Sequence, residues 1–281
     1  MPSAMRPTLN IVGCGKVGRV LARLWHAVGI VQLQDIVNRT PQSTATAIAF
    51  IGGGTPATLS TLRRADLTLV GSGDDQIPSL AAALAATAVP FDGTIAFHCS
   101  GALPASVLAP LQQRSAAIAS VHPVRSFALP EKVVAQFDGT WCGVEGDPSA
   151  IAALEPLFAG IGAHFVTIAS EHKVLYHAGA VFASNYLVTL LDTAVQVYGK
   201  AGIAPDVALQ MMSALVRETA DNVLQDGAEK ALTGPIARSD AGTVIRQYHA
   251  IKESDALQGD LYRRLGRLTH RLAKRARGNR R

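Results

Sequence analysis

Leu9-Asn10-Ile11-Val12-Gly13-Cys14-Gly15-Lys16-Val17-Gly18 decides how the chain is read. Leu9–Gly13 is a short apolar run ending in glycine, the pattern of a buried strand. A G-x-G-x-x-G pattern is laid over its end. Gly18–Val28 then carries Val20, Leu21, Leu24, Trp25 and Val28 at helical spacing. Strand, glycine-rich turn and helix in this order form the context in which the pattern binds a dinucleotide pyrophosphate. Gly13 permits the tight turn, Gly15 a close approach of the phosphates, and Gly18 the packing of helix on sheet. The helix N-terminus adds free N–H groups and the positive end of its dipole.

Further apolar runs follow at Asp35–Asn38, Leu67–Val70, Thr94–His98, Ile118–Val121, Trp141–Val144 and His164–Ile168. Helical stretches stand between them, Gln76–Ala86 and Ser149–Ile161 most clearly. Alternation of this kind predicts parallel crossovers and a doubly wound α/β sheet. From Ser170 onward the pattern is helical only: a long helix over Glu171–Gly199, then Asp206–Gln225, a loop over Ala228–Asp240, Thr243–Ile251 and Ala256–Ala276. The expected organisation is a Rossmann domain over residues 1–168 followed by an all-α domain over 169–281.

The second strand ends Val37-Asn38-Arg39-Thr40. A site for NAD would carry an acid there for the ribose 2′-hydroxyl. Arg39 instead suits a 2′-phosphate, with Asn38 and Thr40 as neutral donors, so NADP(H) is the expected cofactor. Asp35 lies slightly earlier, and a shifted strand end would restore NAD. The expected cofactor contacts are Gly13, Cys14, Gly15, Lys16, Val17, Gly18, Asn38, Arg39, Thr40, Gly71, Ser72 and Ser100. Asp74-Asp75 precede a helix and are read as capping it.

Two segments offer chemistry. His122-Pro123-Val124-Arg125-Ser126-Phe127 lies at the C-terminal edge of a strand, where ligands of open α/β sheets bind. His122 is either an acid or donor there or a structural histidine. Glu171-His172-Lys173-Val174-Leu175-Tyr176-His177 opens the long helix. Lys173, His177 and Ser184 recur on one face, with Asn185 at its edge. A polar stripe in an apolar helix requires partners. Lys173 suits the role of proton donor to the charge left when hydride reaches a carbonyl carbon. His122, His177 and Asn185 complete the candidate catalytic set. Arg238, in the Ala231-Leu232-Thr233-Gly234-Pro235 loop region, is read as pairing with Asp240.

Cys14, Cys99 and Cys142 show no C-x-x-C spacing, so neither a disulfide framework nor a metal site is expected, and a reducing cytoplasm is. Residues 263–281 hold nine Lys or Arg and no acid, and without them acidic residues outnumber basic ones. A solvated terminal helix is the expectation, with no nucleic-acid partner, since Tyr262 is the only aromatic residue beside the run. Met1–Thr8 shows no signal peptide, and the apolar stretch Ala178–Leu191 is too short to span a bilayer.

Taken in order, the glycine fingerprint, Asn38-Arg39, Asp74-Asp75, Ser100-Gly101, His122-Pro123, Ser126-Phe127, Tyr176-His177, Ser184-Asn185 and Ala231–Pro235 resemble the Rossmann-like oxidoreductases with a helical C-terminal domain of unknown function. That group is similar to the superfamily of β-hydroxyacid dehydrogenases, 6-phosphogluconate dehydrogenase, ketopantoate reductase and pyrroline-5-carboxylate reductase. In the β-hydroxyacid branch a lysine opens the interdomain helix and an asparagine follows four residues later. Lys173 matches the lysine, while His177 stands at the asparagine position. His122-Pro123 replaces that branch's serine-glycine-glycine loop. The resemblance implies a homodimer built through the helical domains and hydride transfer to or from a small oxo or hydroxy acid, ketopantoate among those to test. An imine (pyrroline-type) reductase, or a non-catalytic NADP-binding sensor or scaffold, are the alternatives.

Overall fold

In the computed structural model the structure describes residues 6–278. Met1–Met5, part of the stretch read for a signal peptide, and Asn279–Arg281, the end of the basic run, lie outside the described residues. The chain divides into two compact units, Met1–Ser184 and Asn185–Arg281. The first extends past the boundary near Ala169 read from the sequence.

Unit 1 contains β1 (Thr8–Val12), α1 (Lys16–Val28), β2 (Gln32–Val37), α2 (Pro41–Ile51), β3 (Thr55–Pro56), β4 (Leu67–Val70), α3 (Ile77–Ala85) and β5 (Ile95–His98). It continues with α4 (Ala109–Gln112), β6 (Ala117–Pro123), α5 (Pro130–Ala135), β7 (Trp141–Gly146), α6 (Pro148–Ala159), β8 (His164–Thr167) and α7 (Lys173–Ala183). The strands form one eight-stranded sheet in the order β3-β2-β1-β4-β5-β6-β7-β8. Strand order reverses between β1 and β4, which makes their carboxyl ends the switch point where ligands of such sheets bind. The sheet departs from the all-parallel expectation at one place: β7 runs antiparallel to β6, and β8 parallel to β7. That reversal sets Glu145 directly opposite Ser120, and Gly143 opposite His122.

The core is apolar and aromatic. Trp25 on α1 meets Phe97 of β5 and Phe158 of α6 edge to face, at centroid distances of 6.4 and 5.1 Å. All three rings are almost fully buried, and the Trp25 indole N–H donates to the Leu157 carbonyl at 2.9 Å. Asp35 is buried within β2 and bound by Arg63, whose guanidinium lies 2.5 Å from it. It therefore is not at the strand end, and no carboxylate stands there to receive a ribose.

Unit 2 consists of α8 (Asn185–Lys200), α9 (Pro205–Asp226), α10 (Ala228–Ala231), α11 (Gly234–Ala237), α12 (Ala241–Ser254) and α13 (Ala256–Gly278). The single helix expected over Glu171–Gly199 is two, because helical geometry lapses at Ser184 (φ −123°, ψ −72°). The loop expected over Ala228–Asp240 contains the short helices α10 and α11, the latter started by Gly234 and Pro235. Asp240 does not pair with Arg238 among the ion pairs of the described residues. It caps α12, accepting from the Thr243 N–H at 3.0 Å. By length and composition the helical run Ser170–Lys200 is sufficient to cross a membrane, which corrects the shorter apolar stretch read from the sequence. Its first turn is tied to the sheet of unit 1 by the buried Lys173.

Candidate functional site

At the switch point the backbone does the shaping. Gly13 has φ +83°, and a Cβ on it would lie 2.8 Å from the Ser72 nitrogen. A Cβ on Gly71 would lie 2.6 Å from the Gly13 carbonyl oxygen. The ends of β1 and β4 thus approach each other at a distance only glycine allows. Gly18 is less exclusive, since its nearest neighbour, Ile11, would be 3.5 Å from an added Cβ. Gly15 is the exposed N-cap of α1, no side chain caps that helix, and its first turn holds no acid. Its terminal N–H groups and dipole therefore face an open approach, the arrangement that binds phosphate. Beside it a cavity of about 130 Å³ is lined by Val17, Gly18, Gly71, Ser72, Asp74 and Ser100, among others. The cradle fits a pyrophosphate.

Several of the expected cofactor residues hold this turn in place. The Asn38 side-chain oxygen accepts from the Cys14 N–H at 2.6 Å, and its amide donates to the Ser43 carbonyl at 3.1 Å. Thr40 is the N-cap of α2, paired with Ser43 in a reciprocal capping box. Lys16 donates to the Ala128 carbonyl at 3.0 Å. Burial raises the Cys14 thiol to about 12, so it is chemically quiet. Arg39 is exposed, and with Asn38 it edges a groove of about 720 Å³ that also takes in Thr44, Thr58 and Thr61. Asp74 and Asp75 do not cap α3: its N-cap is Gln76, and no side chain caps it.

A second cluster lies on the face shared by β6 and β7. Because strand residues two apart point the same way, Ser120 and His122 stand together, with Glu145 and Gly143 across the ladder. The start of α7 is laid onto this face with matching spacing. Lys173 donates to the Ser120 hydroxyl at 2.6 Å and lies 3.7 Å from the Glu145 carboxylate. One turn on, the Tyr176 hydroxyl meets His122 Nδ1 at 2.9 Å and rests on Gly143, whose missing side chain makes the room. His177 stacks edge-on to His122 at a centroid distance of 5.4 Å and lies against Gly101. Its Nδ1 is buried with no hydrogen-bond partner.

The electrostatics follow from burial. His122 is pushed down to about 4 by loss of hydration, reinforced by His177 and Lys173, so its imidazole is neutral near pH 7. Burial pushes the Tyr176 hydroxyl up to about 12. His98, also brought to about 4 by burial, accepts from the Ser100 N–H on Nδ1, so Nε2 carries the proton and faces the Pro104 carbonyl at 3.1 Å. Lys173 is lowered by burial, against the opposing pull of Glu145.

Of the expected catalytic residues, the structure brings His122, His177 and Lys173 together, with Lys173 as the buried floor. Asn185 falls in the second unit as the first residue of α8. Arg125 turns to the Thr140 hydroxyl at 3.2 Å. Sequence reasoning missed Glu145, Ser120 and Ser170. The one signal for Glu145 was an acid inside the otherwise apolar Trp141–Gly146 strand.

Residues 3–123 match the Rossmann-like domain family, and residues 140–269 match a domain of unknown function, DUF2520. The DUF2520 region starts before β7, so the cluster draws His122 and Ser120 from the first match and Glu145, Lys173, Tyr176 and His177 from the second. Among solved structures the chain is similar to a Thermotoga maritima protein, at 26% identity over 96% of this chain and 99% of that one, with a TM-score of 0.76. A candidate NADP oxidoreductase from Bacteroides fragilis is 20% identical over 95% and 98%, with a TM-score of 0.75. The fold also matches an imine reductase from Myxococcus stipitatus in complex with NADP+, at 14% identity over 97% and 95%, with a TM-score of 0.62. No curated protein matches the chain.

Proposed function

We propose that this protein is an NADP(H)-dependent oxidoreductase acting on a small oxo or hydroxy acid. The observation that carries the reading is the glycine cradle at the uncapped N-terminus of α1, set at the switch point of the sheet beside a β2 end that offers Arg39 and no acid. Gly13–Gly18 and Gly71 would receive the pyrophosphate, Ser72 and Ser100 the nicotinamide half, and Arg39 the 2′-phosphate. The bound cofactor supplies or accepts hydride.

The chain's own residues manage the proton. As a carbonyl is reduced, charge grows on its oxygen and a proton must follow. The His122–Tyr176 pair provides it and is refilled from solvent, because both groups stay neutral near pH 7. This moves the role first read for Lys173 onto its neighbours, since Lys173 is spent on Ser120 and Glu145. The unpaired His177 Nδ1 accepts a hydrogen bond from the substrate. Cyclic-imine reduction is the second reading, favoured by the fold shared with the imine reductase. The protein acts in the cytoplasm as a homodimer, in which a second copy covers exposed apolar residues of unit 2 such as Leu209, Leu215 and Leu224. Equilibrium sedimentation at monomer mass throughout the micromolar range would remove the dimer.

The test is thermal unfolding with NADPH, with NADH and with neither, over a panel of oxo acids (ketopantoate included) and cyclic imines. A ligand bound to the native state raises the melting temperature. A shift with NADPH, enlarged by one panel member that then turns over, is the expected result. Absence of a shift with either nucleotide at saturation overturns the reading. Tight NADPH binding without hydride transfer to any acceptor would point to a sensor or scaffold.

A further inference from the structure

Glu145 joins more of unit 1 than any other buried polar side chain in the cluster. It is 4% exposed, and each carboxylate oxygen is engaged. Oε1 accepts from the Ala105 N–H at 2.6 Å and faces Lys173 Nζ at 3.7 Å, while Oε2 accepts from the Ser170 hydroxyl at 2.7 Å. One side chain on β7 therefore holds the 3-10 turn Ala105–Leu108, the 3-10 turn Ser170–His172 and the first residue of α7. Lys173, 1% exposed, extends the network to Ser120, whose hydroxyl donates to the Ser100 carbonyl at 3.3 Å. A buried ion pair of this kind adds little net stability over an apolar pair of the same shape, so its presence calls for another reason.

Helix spacing supplies that reason. Tyr176 is one turn beyond Lys173, so whatever fixes Lys173 on the sheet also fixes the Tyr176 hydroxyl on His122. We propose that Glu145 is a positioning residue for the His122–Tyr176 pair, acting through Lys173 and Ser170 to hold the start of α7 on β6 and β7. The proposal rests on the reading of that pair as the proton source. Lys173 is then a tether and a fixed charge, not the acid. The charged and titratable groups acting on His122 are Tyr176, His177 and Lys173 from α7, and Asp74 from the β4–α3 connection.

The test uses the full chain as wild type, Glu145→Gln, Lys173→Met and the double variant. The neutral pair in the double variant keeps the shape without a stranded charge, so it guards against a single variant that fails to fold. Two quantities are read: the melting-temperature rise on adding NADPH, and the titration of the His122 ring by nitrogen-15 NMR. Wild-type His122 is expected to titrate near 4. In Glu145→Gln, where the Lys173 charge stays, its midpoint is expected to rise by one unit or more as the start of α7 loosens, with the NADPH shift retained. Lys173→Met raises His122 by itself, because the Lys173 charge helps hold it down. A folded Glu145→Gln in which His122 titrates as in wild type or lower overturns the proposal, since a purely structural role would move the melting temperature without raising His122. Where Glu145→Gln does not fold, the double variant is compared with Lys173→Met, both lacking the Lys173 charge, and an equal His122 midpoint in the two overturns it. A wild type without an NADPH shift sinks the cofactor reading instead, and the His122 titration still decides the role of Glu145.

Discussion

Trp25, Phe97 and Phe158 are at most 1% exposed, whereas Leu209, Met211, Leu215 and Leu224 are each more than half exposed. The first group belongs to unit 1 and the second to unit 2, where the buried residues of α8 to α13 are only Ala208, Met212, Gly259 and Ala273. Both regions have enough apolar residues to build a core, but only the sheet of unit 1 closes one on itself. Helices that leave leucines in water have an incomplete hydrophobic account, which a partner surface would complete. Trp25→Ala should therefore cost about 3–5 kcal/mol in denaturant unfolding, from lost burial and the cavity left behind. Leu224→Ala, 84% exposed in the chain, should change stability by less than about 0.5 kcal/mol at dilute concentration. A Leu224→Ala cost that grows with protein concentration would sharpen the contrast, because it would show the face covered by a second copy.

The same contrast appears in charge. Unit 1 buries titratable groups deeply. His98 is fully buried and held to about 4, against an ordinary value near 6.5. Above pH 6.5 both folded and unfolded chains carry it neutral, and it adds no pH dependence. Between about 6.5 and 4 the unfolded chain binds a proton that the folded chain refuses, so stability falls as pH falls, by roughly 3 kcal/mol across the window. Urea titrations at pH 7 and pH 4.5 should show this loss in wild type. In a folded His98→Gln variant it should be smaller. An equal pH slope in the two proteins would break the assignment to His98.

How far these features were legible in the sequence depends on how local they are. The glycine turn was legible because a backbone conformation demands a residue type at a fixed place, and β1, the turn and α1 are contiguous. The core strands were legible as apolar runs. The antiparallel β7 was not, because pairing direction depends on which neighbour a strand meets, and Trp141–Gly146 reads the same in either sense. α2 has a weak apolar stripe, with Thr44, Ala47 and Ile51 as its buried residues. In the cluster on β6 and β7, Lys173 and His177 were found from spacing within one helix. Glu145, 28 residues earlier, became visible only once the strand reversal set it opposite Ser120. Lys173 looked like a free acid because nothing local revealed its partner.

Arg39 and Asn38 divide the end of β2 into an exposed cation and a structural amide. If Arg39 holds the 2′-phosphate, Arg39→Ala should lose a charge-assisted contact of about 2 kcal/mol, roughly thirtyfold in NADPH affinity, with NADH affinity nearly unchanged. Equal losses for the two nucleotides, measured by fluorescence titration, would remove the 2′-phosphate assignment and leave Arg39 as a solvated loop residue.

The smallest effect separates the two readings of Thr40. As a phosphate donor it would contribute to cofactor choice. As the N-cap of α2 it contributes to folding, because its hydroxyl accepts from the Ser43 N–H at 3.2 Å while the Ser43 hydroxyl faces back to the Thr40 N–H at 3.4 Å. These contacts satisfy donors that the first turn of α2 would otherwise leave unpaired. Thr40→Ala should then lower stability by about 1 kcal/mol, while Thr40→Ser, which keeps the cap, should lower it little. The NADPH-to-NADH affinity ratio should be the same in both variants as in wild type. A ratio that collapses in Thr40→Ala and recovers in Thr40→Ser, with unfolding unchanged, would move Thr40 from the scaffold to the cofactor and make the β2 end a two-residue phosphate site.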